Sequence, residues 1–208
     1  MVTTVARLAK PSETSQYQAL ILSAGAFTVC FAVWTLFSII GVKIKQELQL
    51  DDSAFGLLVA TPVLTGALSR LFLGLLSDRF GGRRVFALLM LLTAGAVYSV
   101  SVVSSYPLFL LAALGLGFAG GSFAVGVSYV SHWFDRARQG TALGIFGAGT
   151  IGTAITSFGA PLLVNAVGWR ETVQIYAAVL AATSVIFYLL TQEDPSSAGR
   201  AAGTIKPR

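Results

Sequence analysis

Arg70 stands where an arginine is expensive. It lies inside the apolar stretch 55–77, and every other Lys or Arg of the chain falls outside such a stretch. A guanidinium within a bilayer costs somewhere between ~3 and ~17 kcal/mol depending on the method, so it normally faces protein, a cavity or a ligand. Arg does not deprotonate, which makes it a poor proton relay and a good permanent anchor for an anion. Gly66, Arg70 and Gly74 are spaced by four and share one helical face, with Thr65 and Ser69 beside it. Missing side chains at both glycines leave a groove in which the guanidinium can lie. Its planar fork suits a planar oxyanion that accepts two parallel hydrogen bonds. Depth alone leaves a second reading open: Arg70 is seven residues from the end of the stretch, roughly 10 Å at 1.5 Å per residue, and an Arg stem can snorkel much of that way.

Other reactive constellations are missing. Cys30 is the single cysteine and His132 the single histidine, so neither a disulfide within the chain nor a Cys- or His-based metal site is expected. The sequence has no HExxH, no cysteine nucleophile beside a base and no carboxylate pair. No enzyme, cofactor or metal is expected. No Asp or Glu lies within the apolar stretches, which argues against a proton-coupled cation exporter, since intramembrane carboxylates are the usual proton relays.

The elements that must position Arg70 are membrane helices. The chain has 208 residues, 55% hydrophobic and 11% charged, where soluble domains carry about 25% charged residues. Six stretches reach the ~20 residues a spanning helix needs: 19–42, 55–77, 85–103, 108–131, 140–167 and 172–191. The first is too long to read as a cleaved signal peptide. The loops between them, 43–54, 78–84, 104–107, 132–139 and 168–171, are short and force neighbouring helices to run antiparallel. If the N-terminus is cytoplasmic, that side holds Arg7, Lys10, Arg79, Arg83, Arg84, Arg136, Arg138, Arg200, Lys206 and Arg208; the other side holds Lys43, Lys45 and Arg170. Ten against three places both termini inside. The net charge of +5 therefore marks topology rather than nucleic-acid binding. Residues 1–16 and 193–208 are expected to be disordered cytoplasmic ends flanking a six-helix unit over 17–192.

Small residues form two further patterns. Gly140, Gly144, Ala148, Gly152, Thr156 and Ala160 make an unbroken row at i, i+4 in the fifth span, and such rows are usually helix contacts. The fourth span carries Gly120, Ala124 and Ser128, with Gly117 and Gly121 alongside. Phe27, Phe31 and Trp34 share a face of the first span and are read as lining or lipid contact.

Two motifs carry a family resemblance. Gly74-Leu-Leu-Ser-Asp78-Arg79-Phe-Gly81-Gly82-Arg83-Arg84 resembles the signature loop between helices 2 and 3 of the major facilitator superfamily. The stretch from Thr61 to Gly74, the glycines Gly120, Gly121 and Gly126 around Phe123, the run Ala142–Gly152 and Gly168-Trp169-Arg170 resemble the nitrate/nitrite porters of that superfamily. The similarity runs from about Phe27 to Tyr188 and matches the N-terminal half of a twelve-helix transporter. It implies an all-α polytopic fold and transport of nitrate or nitrite by alternating access across the cell (inner) membrane. The substrate-binding set it implies is Arg70, Phe123, Gly147, Gly149 and Thr150; the gating set is Gly74, Asp78, Arg79, Gly82, Arg83 and Arg84. Nitrate is flat and singly charged, which fits the guanidinium fork. Two departures stand out: Thr150 occupies a place where the family usually has Asn, and Asp135 one where it commonly has Pro. The family draws a second buried arginine from its C-terminal half, so a second six-helix half, from a homodimer or a separate chain, is the expected partner beside the bilayer and the anion. A carrier for another organic anion or drug, or a half-transporter that moves nothing alone, are the other readings.

Overall fold

The computed structural model describes residues 12–194, and these are helical almost throughout, with no strand among them. Six helices are long and apolar enough to cross a membrane: α1 Glu13–Leu48, α2 Asp52–Phe80, α3 Gly82–Val102, α4 Tyr106–Ser131, α5 Arg136–Val167 and α6 Trp169–Leu190. All six expected spans are present, yet each helix runs past at least one of its expected ends. α1 has 36 residues, about 54 Å at 1.5 Å per residue, well beyond the ~30 Å hydrocarbon layer. Helix therefore continues into water, which is where Glu13, Lys45 and Glu47 sit.

Local chemistry explains where the helices stop. The Ser12 hydroxyl accepts from the Ser15 amide at 3.2 Å and the Asp51 carboxylate from the Ala54 amide at 2.7 Å, capping α1 and α2. α1 ends at Gln49 in the left-handed region, φ 50°. Gly81 at φ 92° and Gly168 at φ 98° each reverse the chain almost alone, a conformation that favours glycine. The expected loops 78–84 and 168–171 thus contract to single glycines. Asp78 and Arg79 belong to α2, and Gly82, Arg83 and Arg84 to α3. α1 also begins inside the stretch 1–16 expected to be disordered; the ends 1–11 and 195–208 lie outside the described residues.

α1 runs through the middle of the bundle against α4, α5 and α6, while α2 and α4 form the broadest helix pair. Buried aromatic rings fill the centre, among them Phe27, Phe86, Tyr129, Phe146 and Phe187. Phe27 is fully buried and stacks on Phe146 with centroids 4.6 Å apart, so it is core rather than lining or lipid contact. Small residues bring α5 onto α1: a Cβ on Gly152 would stand 2.0 Å from the Thr28 carbonyl oxygen, and one on Gly149 2.9 Å from that of Ala24. The Thr156 hydroxyl donates to the Ala32 carbonyl at 3.0 Å.

The small row of α5 is not one continuous contact. Gly152, Thr156 and Ala160 are buried, but Gly140, Gly144 and Ala148 are exposed, and an added Cβ at Gly140 or Gly144 meets nothing within 4 Å. The buried line switches to Ala142, Phe146 and Gly149 because residues Ala148–Ile151 form a 3-10 turn. A 3-10 turn advances 120° per residue instead of 100°, which moves the contact face by one position.

The two ends of the bundle are tied differently. At the end holding Gln49–Asp51, residues 103–105 and Gly168, Arg170 donates to the carbonyls of Ser101 (3.0 Å) and Val103 (3.4 Å), pairs with Glu47 and lies over the Trp169 ring at 4.5 Å. One side chain joins α1, α3 and α6 and caps the last carbonyls of α3. Arg170→Ala is expected to lower stability by about 1–3 kcal/mol, the range for hydrogen bonds to charged groups and for partners left unpaired. Thermal unfolding of the detergent-solubilised chain measures it, with Arg170→Lys intermediate.

Candidate functional site

The site forms where α2 meets α4. Gly66 on α2 approaches Gly117 and Gly120 on α4 so closely that a Cβ on Gly66 would lie 3.0 Å from the Gly117 carbonyl oxygen and 3.3 Å from the Gly120 Cα. Gly121 packs on Ser69 and Leu73 in the same way. Residues Phe118–Gly121 form a 3-10 turn within α4, as Ala148–Ile151 do within α5. The close approach lets Arg70 Nε donate to the Gly120 carbonyl oxygen at 3.0 Å. Pro62 and Trp34 complete the junction: the Trp34 indole N–H donates to the Pro62 carbonyl at 3.3 Å, and its ring borders Gly66 and Gly120.

This geometry bears on the two readings of Arg70. α2 ends at Phe80, so Arg70 lies ten residues from that end, about 15 Å, deeper than the apolar stretch alone suggested. The side chain reaches sideways to α4 and not along α2 toward the surface. Its Nε is occupied, and among the described residues its two terminal nitrogens have no partner and no carboxylate pairs with it. The residue is exposed on the open face of the six-helix unit. A cation held at one nitrogen keeps its two-nitrogen edge available for two parallel hydrogen bonds.

The other expected substrate residues fall into three situations. Phe123, one turn beyond Gly120, is 42% exposed and rests on Phe27 (5.6 Å) and Phe146 (6.1 Å). Thr150 is exposed on α5, its hydroxyl donating to the Gly147 carbonyl at 3.0 Å, and Gly147 has open space beside it. Gly149 is buried against Phe27 and the Ala24 carbonyl of α1, so its missing side chain serves packing. The structure joins Arg70 to α4 through Gly120, and Phe123 to α5 through Phe146; no contact links Arg70 to Gly147–Thr150 among the described residues. Trp34, read from the sequence as lining or lipid contact, packs into the α2–α4 junction. Phe146 and the two 3-10 turns escaped the sequence reading. Their one visible signal is the glycine density at 115–121 and 147–152.

The motif at the other end of α2 is bound into its own unit. Asp78 accepts from the Ser128 hydroxyl of α4, and Arg79 lies over Phe80 at 5.4 Å. Arg83 donates twice to the Tyr188 carbonyl (3.0 and 2.6 Å) and stacks on its ring, while Arg84 pairs with Glu193 at 2.8 Å. Residues 191–194 form a strap over these helix ends. The Tyr129 hydroxyl donates to the Gln192 carbonyl at 2.6 Å, and the buried Asp194 carboxylate accepts from the Gly82 amide at 3.3 Å with His132 at 3.8 Å. A carboxylate at the first amides of α3 also meets the positive end of the helix dipole. Glu193 and Asp194, expected within a disordered tail, are part of the bundle. Gly74 has only the Ala124 methyl 4.0 Å from an added Cβ, whereas one on Gly82 would stand 2.6–3.0 Å from three Tyr129 atoms. Gly82→Ala is therefore expected to loosen the strap and speed proteolysis after Leu190, measured by limited digestion, and Gly74→Ala to leave it intact.

Six antiparallel spanning helices, glycine-mediated α2–α4 and α1–α5 contacts and the signature between α2 and α3 define half of a membrane transporter scaffold. A family profile described as the Major Facilitator Superfamily matches residues 22–207, and the chain belongs to that superfamily. Its relatives include the probable nitrate/nitrite antiporter NarK1 of Thermus thermophilus, 39% identical, covering 86% of this chain and 43% of the relative. The nitrite extrusion protein of Bacillus subtilis is 38% identical, covering 83% of this chain and 42% of the relative. The chain thus spans less than half the length of these relatives. A bacterial homolog of the human lysosomal transporter Spinster, in an inward-facing unoccupied conformation, superposes with a TM-score of 0.76 at 19% identity, over 89% of this chain and 45% of that one. This likeness shows the fold. Family and relatives are transporters, not enzymes, and the chain is a multi-pass membrane protein.

Proposed function

We propose that the chain supplies the N-terminal half of a nitrate or nitrite transporter, with Arg70 anchoring the anion and alternating access moving it. The observation that carries this reading is Arg70 Nε held on the Gly120 carbonyl with the two terminal nitrogens free on the open face. A flat anion seated on that edge gains two parallel charge-assisted hydrogen bonds. Phe123, at the next turn of α4, offers an apolar wall beside it, and the exposed Thr150 of α5 can serve the anion only by releasing its hydroxyl from the Gly147 carbonyl. The names of the relatives support nitrate and nitrite as substrates.

Exposure of Arg70 gives the reason for a partner. A guanidinium open to lipid is costly, so the open face requires cover by a second six-helix unit, as in transporters whose halves are structural repeats. The arginine-rich end, where the described residues begin and end, is assigned to the cytoplasm by its basic residues. Gly74, Asp78, Arg79, Gly82, Arg83 and Arg84 then act in gating at that surface, since a change in tilt of α2 against α4 must break the Asp78–Ser128 contact.

Flux into vesicles tests the proposal. Nitrate or nitrite uptake is expected when the chain is reconstituted with a second six-helix unit, and is expected to fall to background with Arg70→Lys. Uptake that survives Arg70→Lys undiminished overturns the anchor. Uptake by the chain alone assigns the partner role to a second copy.

A further inference from the structure

A second feature lies outside the transport face. Between α2, α3 and α4 runs an apolar trough of about 610 Å³, walled by Leu76 and Phe80 of α2, Leu88 and Leu92 of α3 and Phe118 of α4. Among the described residues, Arg84, at its mouth, is the one charged residue of the wall. Leu76 and Phe80 are turned about 80–120° around α2 from Arg70 at 100° per residue, so the trough is not part of the anion site. Leu88 and Leu92 are 56% and 66% exposed, and the trough opens outward. From Arg84 to Leu92 it descends about 12 Å, close to the ~15 Å of one leaflet's hydrocarbon.

We infer that this trough binds an anionic phospholipid, its acyl chain against the leucines and its phosphate on Arg84. Depth favours a lipid over a packed helix, because a spanning helix needs a groove through both leaflets and the residues of α3 that line this one run only from Arg84 to Thr93, about 14 Å. Charge favours an anionic headgroup. Arg84 Nε lies 2.8 Å from the Glu193 carboxylate, and among the described residues no hydrogen bond engages its terminal nitrogens. Its side chain is 69% exposed in the first turn of α3, and Arg79 lies over Phe80 on the opposite wall. Basic side chains at a membrane surface attract anionic lipid. Because Arg84 also holds Glu193 of the strap, an occupied trough bears on the end of the bundle assigned to gating.

The test uses the 208-residue chain in detergent, titrated with phosphatidylglycerol and with phosphatidylcholine of identical acyl chains, bound lipids being counted by native mass spectrometry. Phosphatidylglycerol is expected to be retained about fivefold over phosphatidylcholine, the equivalent of one basic residue at an anionic surface. Arg84→Gln is expected to abolish that preference while keeping acyl retention. Leu88→Trp and Leu92→Trp, each checked for unchanged helix content, fill the trough and are expected to lower retention of both lipids. Glycerol phosphate, which lacks acyl chains, is expected not to compete. Equal retention of the two lipids by the unaltered chain overturns the assignment, as does unchanged retention in the tryptophan variants or displacement by glycerol phosphate.

Discussion

Gly152→Ala is expected to abolish most of the folded chain, although it adds one methyl group to a helix in place of glycine. The new Cβ would stand 2.0 Å from the Thr28 carbonyl oxygen and 3.0 Å from both the Thr28 carbonyl carbon and the Ala32 amide nitrogen. These are backbone atoms of the central helix and cannot rotate away, so α5 must move off α1. That motion breaks the Thr156–Ala32 hydrogen bond and opens the seat of Gly149 on Phe27. Overpacking costs about 1–3 kcal/mol in ordinary cores and more where the neighbour cannot yield; about 3 kcal/mol or more is expected here. Gly144→Ala is the control: nothing lies within 4 Å of its Cβ, and the change gains about 0.8–1 kcal/mol of helix propensity. Monodisperse yield and thermal unfolding in detergent report both variants. A wild-type yield for Gly152→Ala contradicts the α1–α5 packing described above.

Arg70→Lys is expected to cost about 10–100-fold in anion affinity while conserving charge. An ammonium on a flexible stem presents a point charge, so it cannot bond the Gly120 carbonyl and also offer a rigid two-nitrogen edge. The loss corresponds to about 1.5–3 kcal/mol, the range for hydrogen bonds to charged groups. Gly120→Ala separates positioning from charge. Its Cβ would come within 3.1 Å of the Gly66 Cα and 3.3 Å of the Trp34 ring, pushing α4 from α2 and carrying the carbonyl away from Arg70 Nε. Affinity is expected to fall by about tenfold, one charge-assisted hydrogen bond, with the guanidinium still in place.

Much of this architecture was legible in the sequence because lipid imposes a simple rule. About 20 apolar residues in a row must be helix, and six such stretches became α1–α6. Helix ends were less legible, since apolarity stops at the first charge whereas the helix stops at a cap. Asp78 and Arg79 look like loop by composition and are the last turn of α2, because Gly81 alone makes the reversal. The row from Gly140 to Ala160 was read with one helical period, and the 3-10 turn at Ala148–Ile151 shifted its phase, exposing Gly144 and burying Gly149. Arg70 announced itself by its cost in lipid. Its hydrogen-bond partner did not, since a backbone carbonyl at Gly120 leaves no trace in residue type. The strap was hidden for a different reason: Glu193 and Asp194 sit beside a Ser/Gly/Ala-rich stretch, and what orders them is the α3 N-terminus, more than a hundred residues earlier.

Direct contact between nitrate and Arg70 is measurable on the chain itself. Line broadening of 15N-nitrate by the chain in zwitterionic nanodiscs, at constant ionic strength with chloride as the balancing anion, detects the weak binding one half is expected to show. The expected result is broadening that nitrite relieves, that chloride does not, and that Arg70→Lys removes. Equal broadening by the unaltered and Arg70→Lys chains would contradict it.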